Sequence, residues 1–277
     1  MIIWIASYPK SGNTWVRSFL SAYLYSNDGS FSFDLLRKIQ QFPKASYIKQ
    51  FTENLKDLKE VSSKWIPAQD FINLNNKVNY FKTHNAMCNV EGNNFTNKSN
   101  TLAAIYLVRD PRDVLVSLAN HRGIDIKEAI DILLTDRAKL SFNKEYGAGV
   151  VVGSWSQHYN SWKQFKLAPT LIVKYEDLYF DTKETFLKII KFLNKIYALK
   201  VDDNKIDSSI KNTNFKKLKE MEIKYGFPEA IFNNKTKKKI NFFNQGKICN
   251  WKNFINPNLE QKIVNSFNNE MKELGYI

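Results

Sequence analysis

"WIASYPKSGNTW", from Trp4 to Trp15, changes character within a few residues. An apolar run from Ile2 to Ala6 gives way to small polar residues, a lysine and a glycine between Ser7 and Gly12. From Asn13 the spacing turns helical, placing Trp15, Phe19, Ala22 and Tyr23 on one face. The stretch therefore predicts a buried strand, a turn and a helix. Such a unit aims free backbone N–H groups and the positive end of the helix dipole at whatever sits on the turn. Ser11 and Thr14 add hydroxyl donors, Lys10 adds a mobile positive charge, and small residues let the backbone approach closely. Together these are the needs of a phosphate-like anion. The spacing is P-loop-like but not a Walker A motif, since GxxxxGK[ST] is absent, and a generic nucleotide kinase is disfavoured.

Outward from this unit, "TLAAIYLV" (Thr101 to Val108) reads as a second buried strand. "RDPRD" follows and opens a helix through about His121, with Asp110 as cap, Pro111 at the first position and Asp113 in the first turn. "TLIVK" (Thr170 to Lys174) is a third strand, with a helix near Thr182 to Leu193. Strands alternating with helices imply an α/β fold with a central parallel sheet flanked by helices. Ligands of such sheets bind at the carboxyl ends of the strands. Gly153 to Phe165 reads as a helix whose Trp155, Tyr159 and Trp162 form a core stripe, with His158 as a core histidine. The Lys/Asn-rich stretches Ile196 to Lys205 and Glu220 to Asn241 read as surface loops or lid segments. No repeat or Pro/Gly-rich linker interrupts the chain, so one domain spans Met1 to Ile277.

Composition sets the outer limits. The chain has 277 residues, 43% of them hydrophobic, enough for a full core. No apolar run is long enough to span a bilayer, and a cytoplasmic enzyme is expected. Cys88 and Cys249 stand far apart with no Cys/His cluster, so free thiols and no metal site are expected. The formal charge of +14 is compatible with an anionic partner, but runs such as "NNKTKKKIN" read as solvated surface.

"YPKSGNTW" resembles the 5′-phosphosulfate loop of the cytosolic-type sulfotransferases. "FKTH" (Phe81 to His84) is similar to that family's strand carrying a lysine and the catalytic histidine. "LVRDPRDVLVS" (Leu107 to Ser117) resembles its 3′-phosphate segment. "GSWSQHYNSW", "VKYEDL", "TNFKKLK" and "GKICNWKN" resemble further segments in the same order, from Ile2 to about Asn253. A bacterial or viral member is expected. The resemblance implies the donor 3′-phosphoadenosine 5′-phosphosulfate, with adenosine 3′,5′-bisphosphate as product. It implies a small-molecule acceptor (an alcohol, phenol, sugar or amine), with no nucleic acid and no metal.

Position by position, the resemblance places Lys10, Ser11, Gly12, Asn13 and Thr14 on the 5′-phosphosulfate and Trp15 on adenine. Arg109 and Ser117 would bind the 3′-phosphate, and Tyr175, Thr213 and Phe215 would bound the adenine. His84 would be the base, with Lys82 beside it at the sulfuryl group. The residue types suit that chemistry. A histidine titrates near neutrality and can take an acceptor proton, and a Lys10 ammonium stabilises charge growing on a leaving phosphate.

The closing loop departs from the family. Asn244 and Gln245 stand where the family has arginine and lysine, leaving Gly246 and, one residue on, Lys247 to meet the 3′-phosphate. The dimer segment is not recognisable in "KNFINPNLE", so the oligomeric state is open. Acceptor-contacting segments should lie in Ser26 to Val78 and Arg122 to Gly149. Phe31, Phe33, Phe42, Tyr47 and Trp65 are either an acceptor pocket or core. The other readings are a nucleoside or nucleotide kinase and a basic nucleic-acid-binding protein.

Overall fold

The computed structural model describes residues 1–136, 139–140, 147–227, 229–232 and 239–277. Its frame is a sheet of five parallel strands: β1 (Ile2–Ser7), β2 (Gln40–Gln41), β3 (Asn79–Thr83), β4 (Thr101–Val108) and β5 (Thr170–Lys174), in the order β2-β3-β1-β4-β5. The three strands expected from apolar runs are present, and β3 carries "FKT" of the FKTH segment. Register places Ile5 beside Lys82 and Ala6 beside Thr83 on one side of β1, and Ser7 beside Leu107 on the other.

Alternation along β1 divides the core into two layers. Ile2, Trp4 and Ala6 face a cluster with Trp65, Trp155, Tyr159 and Trp162. Ile3 and Ile5 face α1 (Asn13–Tyr25) and α4 (Thr182–Tyr197), through Phe19, Phe186, Ile189 and Leu193. Because α1 is enclosed by the sheet and its neighbours, it is buried all round from Val16 to Tyr23, including Arg17, rather than along one stripe. Helix α2 (Pro111–Arg122) is capped as its sequence predicts, with the Asp110 side chain accepting from the Arg112 N–H. Arg112 itself bonds Asp110, Glu260 and the Tyr276 carbonyl, tying the helix start to the C-terminal end of the chain.

Some boundaries move. The helix expected over Gly153 to Phe165 is α3 (Trp155–Lys163), because Ser154 forms a capping box with Gln157 and Gly153 stays outside at positive φ. Its aromatic stripe is core, and His158 is fully buried between the Tyr106 hydroxyl and the His84 carbonyl. The loop expected at 196–205 is present from 198 to 202, with the helices on either side taking its ends. In the stretch 220–241, the first residues belong to α5 (Phe215–Tyr225), anchored by the fully buried Glu222, which accepts from the N–H groups of Phe242 and Phe243. Most of "NNKTKKKIN" lies outside the described residues. Phe42 and Trp65 are core, and Tyr47 packs on that core. Phe31 and Phe33 pack beside Leu36 and Phe227, away from the cavity described next. Among the described residues no helix is long and apolar enough to cross a membrane.

Candidate active site

Four segments leave the carboxyl ends of the sheet and meet. The loop after β1 brings Lys10 to Trp15, β3 carries Lys82 near its end and is followed by His84, β4 is followed by Arg109, and β5 by Tyr175. Winding reverses about β1, where a parallel sheet opens a crevice. A cavity of about 440 Å³ occupies it. It is lined by Lys10, Gly12, Asn13, Thr14, Trp15, Lys82, His84, Arg109, Ser117, Tyr175, Phe215, Gly246 and Lys247 from the sequence-predicted set. Two of that set stay out. Ser11, within the loop, is fully buried and does not line the cavity, and Thr213 is fully buried with its hydroxyl donated to the Ser209 carbonyl.

Close approach shapes the loop. Gly12 has φ +96° and a Cβ there would sit 2.6 Å from a Tyr175 ring carbon, so glycine is required on both counts. Lys10 also adopts positive φ, and its Nζ lies 3.9 Å from the Phe242 ring centroid. Asn13 does not present its amide to the cavity centre. It ties the loop to β1, donating to the Ile5 carbonyl at 2.9 Å and to Ser7 Oγ at 3.2 Å. No side chain caps the α1 N-terminus.

His84 is held in one tautomer. Its Nδ1 lies 2.8 Å from the Ser7 carbonyl oxygen, which can only accept, so Nδ1 carries the proton and Nε2 keeps its lone pair. Burial first, and then the Lys82 charge, hold its pKa well below the ordinary histidine value, which keeps the ring neutral. Lys82 bonds Glu229 at 3.1 Å, and Glu229 also receives Arg17 at 2.7 Å. Burial alone would raise the Glu229 carboxyl, but Lys82 and Arg17 outweigh it and hold it below the carboxylate range.

Arg109 is the pin between strand end and closing loop. It stacks on Tyr175 at 4.2 Å and donates to the Lys10 carbonyl at 3.3 Å and the Lys247 carbonyl at 2.7 Å. The Tyr175 hydroxyl donates to the Gly246 carbonyl at 2.9 Å. Asp113 completes the attachment by accepting from the Cys249 and Trp251 N–H groups at 2.8 and 3.0 Å. Asp113, His121, Glu229 and Phe242 line the cavity although the sequence reading gave them no site role. Asp113 was legible only as a helix-start acid. His121 is one of just three histidines, a signal that could have singled it out. Burial, followed by the nearby Lys10 and Lys82 charges, pushes its pKa down to about 3.

The family model described as the sulfotransferase domain matches residues 2–275. The chain belongs to the sulfotransferase family. This sulfotransferase is 25% identical over 272 residues to "Sulfotransferase 1E1" of Bos taurus, covering 97% of the chain and 82% of the relative. It is 26% identical over 185 residues to an amine sulfotransferase of Oryctolagus cuniculus, covering 64% of the chain and 56% of that protein. A crystal structure of a mouse sulfotransferase complexed with PAP shares the fold, with TM-score 0.58 at 21% identity over 98% of this chain and 84% of the other. The enzyme is a transferase of sulfuryl groups. Among the described residues no group of three His, Cys, Asp or Glu side chains could hold a metal ion.

Proposed function

We propose that this sulfotransferase takes its sulfuryl group from 3′-phosphoadenosine 5′-phosphosulfate and passes it to a small acceptor alcohol, phenol, sugar or amine in the cytoplasm. The observation that carries the reading is the junction of His84 Nε2, Lys82, Lys10 and Arg109 in one cavity, with His84 fixed as a neutral base. Buried donors around that cavity fit an anionic nucleotide. Among the described residues that line it, Trp15 Nε1 and Arg109 Nε have no hydrogen-bond partner. Unpaired buried donors are costly unless a ligand satisfies them.

When bound, the donor supplies an activated sulfuryl group on its 5′-phosphate. The loop Lys10–Thr14 and the uncapped end of α1 would hold the 5′ anion. Trp15, Tyr175 and Phe215 would flank the adenine, and Arg109, Ser117, Gly246 and Lys247 the 3′-phosphate. His84 Nε2 would accept the proton of the acceptor as it attacks, while the Ser7 carbonyl holds the ring and stabilises the imidazolium formed. Lys10 would stabilise the charge left on the departing phosphate.

A thermal-shift panel of adenosine 3′,5′-bisphosphate, ATP with magnesium, and DNA separates this reading from a kinase and a nucleic-acid binder. Only the bisphosphate should stabilise the protein. Labelled donor screened against phenols, steroids, sugars and amines then finds the acceptor. With that acceptor, His84→Ala should abolish turnover yet bind the bisphosphate nearly as well as the wild type. Near-normal turnover in His84→Ala would remove His84 from its role.

A further inference from the structure

Glu229 belongs to none of the sequence motifs, yet its carboxylate is held by Lys82 of the site and by the buried Arg17 behind it. Oε2 meets Lys82 Nζ at 3.1 Å and Oε1 meets Arg17 Nη1 at 2.7 Å, with the three side chains only 15%, 3% and 6% exposed. Lys82 lies near the end of β3, Arg17 in the second turn of α1, and Glu229 follows α5, so three distant segments converge. Arg17 is further fixed by donating to the Ile39 carbonyl at 3.0 Å. Stability does not require such a group, because apolar residues of similar volume generally serve a core as well or better.

The location gives it a different meaning. Under the donor reading above, on which this inference rests, Lys82 is the cation beside the sulfuryl group, which is itself an anion. A lysine ammonium is a compact point charge, and a carboxylate beside it cancels much of its attraction for a second anion. We infer that Glu229 is a specificity-determining residue, an internal counter-anion for Lys82 with which the sulfuryl group of the donor competes. Arg17 draws the carboxylate the other way and takes it up when the sulfuryl group claims Lys82. The triad thereby sets how strongly the site prefers the sulfuryl-bearing donor over the bisphosphate product, which has no sulfuryl group.

The two flanking variants should act with opposite sign. In Glu229→Gln, calorimetric titration should show the phosphosulfate donor binding about tenfold tighter, the weight of one charged contact, while the bisphosphate moves by less than about twofold. Arg17→Gln leaves Glu229 to Lys82 alone, so the donor should bind more weakly and the bisphosphate again hold steady. In a Lys82→Met background both effects should vanish. A merely structural triad would shift both nucleotides together, in the same direction in both variants. Equal shifts, or a donor weakened by Glu229→Gln, would overturn the inference. Should Glu229→Gln not fold, Glu229→Asp with its shorter reach must show the same sign, and Arg17→Gln the opposite one. Failure of the wild type to bind either nucleotide would instead strike the donor reading itself.

Discussion

At the scale of single residues, two side chains of the candidate site have their hydrogen-bonding options narrowed. His84 can donate only through Nδ1, since the Ser7 carbonyl lies 2.8 Å away, so Nε2 is the basic atom. Its pKa is lowered by burial and then by Lys82, and the base role proposed for it requires the neutral ring. Activity should therefore fall only as pH drops through that lowered value. With an identified acceptor, kcat/KM should stay level from about pH 8 down past the ordinary histidine value near 6.5. An acid limb centred at 6.5 would contradict the environment described. Arg109 is the second case. Two of its N–H groups hold the Lys10 and Lys247 carbonyls, and its buried Nε has no partner among the described residues. Arg109→Ala should weaken every nucleotide somewhat by loosening both loops. It should weaken the bisphosphate by about a further tenfold to hundredfold relative to adenosine 5′-phosphosulfate, which has no 3′-phosphate. Titration of both ligands checks this, and equal losses would mean that Arg109 does not read the 3′-phosphate.

At the scale of elements, the closing loop shows how a degraded motif keeps its place. Asn244 and Gln245 supply no charge, yet both line the cavity because the loop is attached by backbone contacts. Gly246 has φ +64° and a Cβ there would come within 2.5 Å of the Phe215 ring, while its carbonyl accepts from Tyr175. Asp113 holds two N–H groups of the same loop from the first turn of α2. Asp113→Ala strands those groups and should cost about 1–3 kcal/mol in urea unfolding, with a parallel loss of bisphosphate affinity. Unchanged affinity would show that the loop finds its place without Asp113. The first βα turn offers a matching test. In Gly12→Ala the new methyl must displace Tyr175, so nucleotide affinity and melting temperature should both fall. Helix ends with local caps, at Asp110 and Ser154, were readable to within a residue or two, because a cap is a contact between near neighbours in sequence. The loop expected over 196–205 is confined to 198–202, because Asp202 caps a further helix, Asp203–Asn212, whose apolar positions are sparse among lysines and asparagines.

At the scale of the whole molecule, all three histidines are held neutral by the fold. His84 lies well below its ordinary value, and His121 and His158 are pushed down to about 3, with burial the largest cause in each case. The unfolded chain binds these protons near pH 6.5 and the native state does not, so stability is fully present above 6.5 and declines as pH falls. Each such histidine contributes up to about 1.4 kcal/mol per pH unit below that point. Melting temperature followed from pH 7.5 to 4.5 should fall with a break near 6.5, and a flat profile would contradict the burial of these rings. By itself the sequence determined the strand–turn–helix at 2–25, the parallel α/β class, and the run of motifs that put Lys10, His84 and Arg109 in one family. Those features are encoded in apolar periodicity, in local capping and in short segments whose chemistry lies within a few residues. The tertiary structure alone decided that Glu229 pairs with Lys82 across 147 positions, that Asp113 fastens the closing loop, and that Thr213 turns inward. None of these has a local signature. Each depends on which chain segments the sheet order brings to the carboxyl end of β1, and on the electrostatic cost of leaving a buried charge or N–H without a partner there.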